Sequence, residues 1–280
     1  MYLLFDVGGT NMRIAFSKDG ESFVKTKSVP TPRIFEEAIS LFQEIARDLS
    51  KEGKVEAIAG GIPGPFNEKG ELGNLPNLQG WRGKPFRAEL ERACAAPVFL
   101  GNDTDLVGLG EAVMGAGKKK NIIVYLTIST GVGGTRIVDR KIDIHAVGFE
   151  PGHQIIDIHS DEPCGCGGQG HLESLISGSA LERKYGKVPK DITDPEIWEE
   201  TARILAYGLN NIIVHWSPDI IVLGGPMIIQ ENGISIEKVK KYLKDILKIF
   251  PEPPPITKAM LGDQGGLYGA LVFAKQQLSQ

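Results

Sequence analysis

One short motif occurs twice in this chain, and the repeat constrains the fold more than any other feature. Val7-Gly8-Gly9-Thr10 returns as Val132-Gly133-Gly134-Thr135, each time between two apolar runs that predict strands. We therefore expect two related halves. In each copy we predict a hairpin whose glycine pair permits positive φ and a close approach of the backbone to a phosphate group. A glycine pair that only forms a turn is the alternative for either copy.

Short apolar runs alternate with helical patterns along the rest of the chain, which predicts an α/β fold with mixed sheets. Apolar residues at helical spacing predict helices over residues 34–49, 195–216 and 236–249. We predict buried strands at Tyr2–Val7, Val55–Ala59, Val98–Leu100, Ile122–Ile128 and Ile220–Leu223.

Composition excludes several classes of protein. The chain has 280 residues and can bury a core without disulfide bonds, and its 3 cysteines are an odd number for a secreted protein. A formal net charge of -4 gives no general attraction for nucleic acid or for an anionic membrane. The first residues form an apolar strand without a basic leader, and no apolar run is long enough to cross a bilayer. We expect a cytoplasmic protein that binds small molecules.

Asn102 and Asp103 lie where a predicted strand ends and a helical stretch through Glu111 begins. Ligands bind at such strand ends in open α/β sheets. A carboxylate at this position can accept the proton of an attacking hydroxyl, so Asp103 is the candidate catalytic base and Asn102 a candidate for orienting the hydroxyl. The alternative is that these residues only cap the helix. We expect Thr104 or Asp105 to be the cap.

Four potential metal ligands lie in one glycine-rich segment: His153, Cys164, Cys166 and His171. Two thiolates and two imidazoles match tetrahedral zinc in ligand type and number, and a filled set of four protein ligands predicts a structural site. Glu150 and Glu173 lie on either side of these ligands, where two carboxylates can accept hydrogen bonds from hydroxyl groups. Incidental thiols and surface carboxylates are the alternatives.

These residues together resemble the ROK family of sugar kinases and related repressors, within the actin-like ATPase superfamily. The resemblance covers almost the whole chain. The matching segments are Asp6 to Asn11, Gly61 to Pro65, Asn77 to Trp81, Asn102-Asp103, Ser129 to Gly134, Glu150 to His153, Cys164 to Gly170 and Ile221 to Gly225.

The resemblance implies two actin-like, ribonuclease H-like α/β domains around a central cleft, with Asp103 as the catalytic base and a magnesium ion near Asp6. A buried, purely structural aspartate is the alternative for Asp6. The implied sugar-binding residues are Gly64, Asn77, Asn102, Glu150, His153 and Glu173. The implied ATP-binding residues are Gly8, Gly9, Thr10, Asn11, Thr130, Gly131, Gly133, Gly134, Gly224 and Gly225.

The family usually has a third cysteine where this chain has His171, but histidine is an equally competent zinc ligand. The family's repressors carry a helix-turn-helix before the first hairpin, and here that hairpin begins at Asp6. DNA binding is therefore not expected.

We expect a smaller domain of residues 1–105 and 266–280 and a larger domain of residues 106–265 that contains the zinc loop. The expected activity is ATP-dependent phosphorylation of a hexose. Glucose is favoured by the pattern from Glu150 to His153, and fructose, mannose, allose and N-acetylhexosamines remain open. The rivals are a sugar sensor without turnover, an acyl-phosphate-forming kinase and an exopolyphosphatase. A homodimer or homotetramer is implied by the resemblance.

Overall fold

The computed structural model of the chain describes residues 1–75 and 78–279. The chain forms two compact units. Unit 1 comprises Met1–Gly110 and Asp263–Gln280, and unit 2 comprises Glu111–Gly262.

The strands have the following bounds within the described residues: β1 Tyr2–Val7, β2 Asn11–Ser17, β3 Lys25–Pro30, β4 Ala57–Ile62, β5 Val98–Asn102, β6 Ile122–Ile128, β7 Val132–Val138, β8 Lys141–Ile142, β9 Ile220–Gly224 and β10 Ile256–Lys258. The α-helices are α1 Phe35–Ser50, α2 Phe86–Cys94, α3 Asp103–Val113, α4 Leu172–Ile176, α5 Gly178–Tyr185, α6 Pro195–Trp216, α7 Pro226–Ile229, α8 Ile236–Ile246 and α9 Gly265–Leu278. A short 3-10 helix spans Pro151–His153.

The described residues form two sheets with the same topology. Unit 1 has the order β3-β2-β1-β4-β5, and unit 2 has the order β8-β7-β6-β9-β10. In unit 1, β3, β2 and β1 pair antiparallel, while β1, β4 and β5 pair parallel. In unit 2, β8, β7 and β6 pair antiparallel, while β6, β9 and β10 pair parallel. The predicted pair of related halves is therefore present as a repeated sheet.

Several predicted elements are confirmed at their bounds, including β1, β6 and α6. The strand predicted over Val55–Ala59 is wrong at both ends. In the structure, β4 begins two residues later, at Ala57, and ends three residues later, at Ile62, so that it includes Gly60 and Gly61. Gly60 is needed within the strand, since a Cβ there would lie 2.3 Å from Cδ2 of Phe5. The helix predicted to reach Ile249 ends at Ile246. Leu247 adopts an extended backbone conformation, and its side chain is buried.

Each unit has its own apolar core. In unit 1, helix α1 covers the sheet with a face that includes Phe42, whose ring contacts Phe5 and Phe86 edge-on at 5.1 and 6.1 Å. In unit 2, α6 and α8 pack together over the sheet through residues such as Leu209 and Leu243. The parallel strands β4 and β9 are buried along their whole length, as expected for strands covered on both faces.

Within residues 1–75 and 78–279, no helix combines the length and the apolar character needed to cross a lipid bilayer.

Helix α9 packs on α3 through a glycine that leaves no space for a side chain. A Cβ at Gly269 would lie 1.7 Å from the carbonyl oxygen of Leu106. Alanine normally stabilises a helix interior by about 1 kcal/mol relative to glycine. Here we expect Gly269→Ala to lower the free energy of unfolding by about 2 kcal/mol, because the backbones must separate. Urea denaturation followed by circular dichroism measures this change.

Gln277→Ala on the same helix is the control, and its effect should stay within about 0.5 kcal/mol. A urea midpoint of Gly269→Ala equal to that of the wild type would contradict the close packing.

Candidate active site and metal centre

Three predicted site segments of unit 1 leave the same edge of its sheet. In the parallel register, Asp6 lies opposite Gly61, and Gly61 lies opposite Gly101. The turn after β1, the loop that contains Gly64 after β4, and Asn102-Asp103 at the end of β5 are therefore neighbours, as expected for the carboxyl ends of parallel strands. Asn77, which was predicted to bind the sugar, lies outside the described residues.

Asp103 is the first residue of α3, and it is held close to β4. A Cβ at Gly61 would lie 2.9 Å from Cα of Asp103, so only glycine permits this approach. Removal from water raises the pKa of the Asp103 carboxyl, and a hydrogen bond from the Thr104 amide, 2.8 Å from Oδ1, opposes this rise. A carboxylate in this position is desolvated and remains an acceptor.

Asn102 caps helix α3, which corrects the expectation that Thr104 or Asp105 would do so. Its Oδ1 accepts hydrogen bonds from the backbone amides of Thr104, at 2.9 Å, and Asp105, at 3.3 Å. The reason is that the helix already begins at Asp103, so the preceding residue is the N-cap. The amide nitrogen of Asn102 does not take part in these two bonds.

Asp6 lies beside Asp103 and carries a second perturbed carboxyl. Burial raises the pKa of Asp6 to about 6, and the negative charge of Asp103 adds to the rise. Arg13 opposes it, with Nη1 3.7 Å from Oδ2 of Asp6, and Nη2 of Arg13 lies 3.3 Å from Asp263. Our sequence analysis missed Arg13. The signal was available, because a two-strand hairpin pairs Arg13 directly with Asp6.

The first glycine turn, Gly8 to Thr10, has close backbone contacts and does not have the predicted positive φ at Gly8 or Gly9. The Gly8 amide donates to the carbonyl of Asn11 at 2.9 Å, and a Cβ at Gly8 would lie 2.8 Å from the same oxygen. Thr31, which the sequence analysis also missed, fastens the turn: its hydroxyl donates to the Gly8 carbonyl at 2.7 Å.

The second glycine turn is Ser129 to Gly131, and it corrects the predicted alignment of the two motifs. Gly133 and Gly134 lie inside β7, whereas Gly8 and Gly9 lie in the turn between β1 and β2. Neither Gly133 nor Gly134 has positive φ. The matching letters are therefore displaced by four residues in the structure, because the second turn uses the preceding residues, including Thr130 and Gly131.

Glu173 lies directly against the second turn. Its Oε2 accepts a hydrogen bond from the backbone amide of Val132 at 2.8 Å, and its Oε1 lies 3.6 Å from Sγ of Cys164. A Cβ at Gly131 would lie 2.6 Å from Oε2. Glycine at position 131 therefore provides the space for a carboxylate.

Gly224 is the last residue of β9 and Gly225 follows it, at the same edge of the unit 2 sheet as the second turn. Gly225 has φ +87, and a Cβ there would lie 2.3 Å from the carbonyl oxygen of Ile128 at the end of β6. A side chain at this position would push β9 away from the turn.

The four predicted metal ligands come together in unit 2. The donor atoms of His153, Cys164, Cys166 and His171 all lie within 4.8 Å of one another. Nδ1 of His153 is 3.4 Å from Sγ of Cys164, and Nδ1 of His171 is 3.4 Å from Sγ of Cys166. Zinc–sulfur and zinc–nitrogen bonds of about 2.3 and 2.0 Å put tetrahedral ligands about 3.3–3.8 Å apart. The cluster therefore fits a tetrahedral metal after a contraction of about 1 Å in its widest pair.

The cluster also has the chemistry of a metal site. Burial raises the pKa of the Cys164 thiol to about 11, and binding of a metal ion displaces the proton of a thiol ligand. With Nδ1 of His153 directed at Cys164, its Nε2 is directed at Glu150, 3.8 Å from Oε2. Glu150 and His153 are thus adjacent, and both are accessible to solvent.

The chain is similar to known proteins along nearly its whole length. The sequence profile of the ROK family matches residues 2–277. The N-acetyl-D-glucosamine kinases of Haemophilus influenzae and of Escherichia coli O127:H6 are 28% and 30% identical to this chain, each over 96% of the chain and 98% of the relative. The crystal structure of the ROK hexokinase from Thermus thermophilus superposes with a TM-score of 0.87 at 29% identity and covers 99% of both chains.

The α/β fold class with two actin-like domains, predicted from the sequence, is therefore confirmed. On its sequence motifs, the topology of its two sheets and these matches, the chain belongs to the ROK family.

Proposed function

We propose that this chain is an ATP-dependent hexose kinase that transfers the γ-phosphoryl group to a sugar hydroxyl, with Asp103 as the catalytic base. The observation that carries the proposal is the half-buried carboxylate of Asp103 at the start of α3, whose pKa is raised by partial removal from water. A protein that only senses a sugar has no need of a partly desolvated proton acceptor at the end of a strand. The family membership and the names of the relatives support the same activity.

In the proposed mechanism, Asp103 accepts the proton of the attacking hydroxyl as the phosphoryl group is transferred. The amide nitrogen of Asn102 orients that hydroxyl. The two glycine turns and Gly224-Gly225 bind the phosphates of ATP through backbone amides, since their glycines allow close approach. When bound, Mg²⁺ neutralises charge between the phosphate oxygens, and the Asp6 carboxylate is the ligand, direct or through water, that this chain offers.

The acceptor is a hexose, and two candidates lead. Glucose is favoured by the pattern from Glu150 to His153, whose side chains are adjacent and accessible in unit 2. N-acetylglucosamine is favoured by relatives of that named specificity that match along 96% of this chain. Fructose, mannose and allose remain further candidates, because a few pocket contacts decide among these sugars. The residues proposed to bind the sugar are Gly64, Asn77, Asn102, Glu150, His153 and Glu173.

The domain division at residues 105 and 266, the cytoplasmic location and the homodimer or homotetramer stay predictions. We also propose that the Cys/His cluster binds one structural zinc ion. Its support is the fit of the four donor atoms to tetrahedral geometry.

Replacement of the proposed base tests the mechanism. Asp103→Asn removes the proton acceptor with little change of shape, so we expect turnover to fall about 10³-fold while the affinities for ATP and sugar change little. A coupled assay of ADP release and calorimetric titrations measure the two effects. Asp48→Asn, an exposed carboxylate on α1, is the control and should keep its turnover. Near-normal turnover of Asp103→Asn would contradict the assignment.

The same replacement has a second expected effect, on stability. Because the pKa of Asp103 is raised in the folded chain, its contribution to stability is greatest at acidic pH and is lost as the pH rises through the raised pKa. A neutral asparagine removes this loss. Urea denaturation at several values between pH 4 and pH 8 should therefore show that the stability of Asp103→Asn relative to the wild type rises with pH. A relative stability that does not change with pH would contradict the raised pKa.

Elemental analysis tests the zinc proposal. We expect one zinc ion per chain in the purified protein and a loss of most of it in Cys164→Ser, because a serine hydroxyl is a poor zinc ligand. Cys94→Ser is the matched control, since Cys94 lies in unit 1 on α2 and the variant should retain the metal. Wild-type protein without metal would count against the site.

A further inference from the structure

Helix α4 runs from the metal cluster to the second glycine turn. The metal ligand His171 is its N-cap residue, and Glu173 is its second residue. Ser177 ends α4 and caps α5 by accepting a hydrogen bond from the Ala180 amide at 3.2 Å. Because α4 has only five residues, the position of its first turn also determines the position of its last residues.

Both oxygens of Glu173 are engaged by this segment's neighbours. One oxygen accepts from the amide of Val132, the first residue after the turn, at 2.8 Å, and the other lies 3.6 Å from Sγ of the metal ligand Cys164. A single side chain therefore joins the cluster to the turn.

The other end of the segment contacts the turn through its backbone. The amides of Gly178 and Ser179 donate to the carbonyls of Ser129 and Thr130 at 2.7 and 3.2 Å. With the bond that the Val132 amide donates to Glu173, three hydrogen bonds join residues 129–132 to residues 173–179, in addition to the turn's own bond from the Ser129 amide to the Gly131 carbonyl at 2.8 Å.

The helix is also fixed in the core of unit 2. Leu172 and Ile176 are fully buried, and Leu172 packs so closely on α6 that a Cβ at Gly208 would lie 2.7 Å from it. Packing of this density transmits a displacement, because it has no free volume to absorb it.

From these contacts we infer that Glu173 is a positioning residue, and that metal ligation at His171 and Cys164 fixes the second glycine turn through α4 and thereby sets the affinity for nucleotide. The inference rests on the proposed function, because it takes this turn as a phosphate-binding element. It gives Glu173 a task beyond the sugar contact implied by the resemblance.

Hydrogen exchange of the full-length protein, without nucleotide or sugar, tests the link to the metal. Zinc-loaded protein is compared with protein from which a chelator has removed the zinc. We expect the amides of residues 129–132 to exchange about ten-fold faster after removal. The first turn, residues 8–10, is the internal control, since it is fastened by Thr31 in unit 1 and should not change. Equal exchange of residues 129–132 with and without zinc would overturn this link.

Three variants test the position of Glu173, with affinity for the non-hydrolysable nucleotide AMP-PNP as the readout. Glu173→Ala should bind it about ten-fold more weakly, a change of about 1.4 kcal/mol. Glu173→Gln should stay within about three-fold of the wild type, because its amide oxygen still accepts from Val132. Glu182→Ala, an exposed glutamate on α5, should bind like the wild type. Unchanged affinity in Glu173→Ala would overturn the positioning role.

The two readouts separate this inference from the proposed function. If the wild type binds no nucleotide, the proposed function fails, and the exchange of residues 129–132 alone decides whether Glu173 and the metal position the turn. If Glu173→Ala does not fold, as judged by circular dichroism, Glu173→Gln decides the role: its amides 129–132 should match the wild type, and a ten-fold faster exchange would contradict the retained hydrogen bond.

Discussion

The partial burial of two carboxylates at one edge of a sheet is the constraint on which the arrangement of unit 1 depends. Asp6 and Asp103 are half-buried beside each other, and partial removal from water raises the pKa of both. Local partners oppose the rise in pKa: the charge of Arg13 does so at Asp6, and the hydrogen bond from the Thr104 amide does so at Asp103. Asp103 also starts a helix, where the amide dipoles favour a negative charge. Two partly desolvated carboxylates thus lie beside each other, each with a local partner that favours its charged form.

The two units repeat one sheet topology, yet they secure their glycine turns by different means. In unit 1 the hydroxyl of Thr31, just after β3, binds the turn directly. In unit 2, β8 is only two residues long, and the equivalent support comes from the segment of Glu173 to Ser179. Residues 173–179, which directly follow the Cys/His cluster, therefore supply contacts that the shorter sheet edge of unit 2 does not. This difference is the basis of the proposed link between the cluster and the second turn.

The sequence was informative where apolar periodicity or residue chemistry acts alone. It predicted β1, β6 and α6 at their bounds, and it predicted the assembly of two histidines and two cysteines in one cluster. It failed where tertiary packing decides. Gly60 lies within β4, where the ring of Phe5 fills the space that a side chain would need. Asn102, and not Thr104 or Asp105, is the helix cap because α3 begins at Asp103. The equal letters at Gly8-Gly9 and Gly133-Gly134 suggested equal positions, and only the strand register revealed their displacement.

The central claim is that the chain transfers the γ-phosphoryl group of ATP to a sugar, and phosphorus NMR of the reaction products tests it most directly. Wild-type protein is incubated with ATP and Mg²⁺, first without sugar and then with glucose, N-acetylglucosamine, mannose, fructose or allose. The account predicts that ATP is consumed only when an acceptor is present and that the product is a sugar phosphate monoester. ATP consumption that yields only inorganic phosphate, or no consumption despite measurable binding of a sugar, would contradict it.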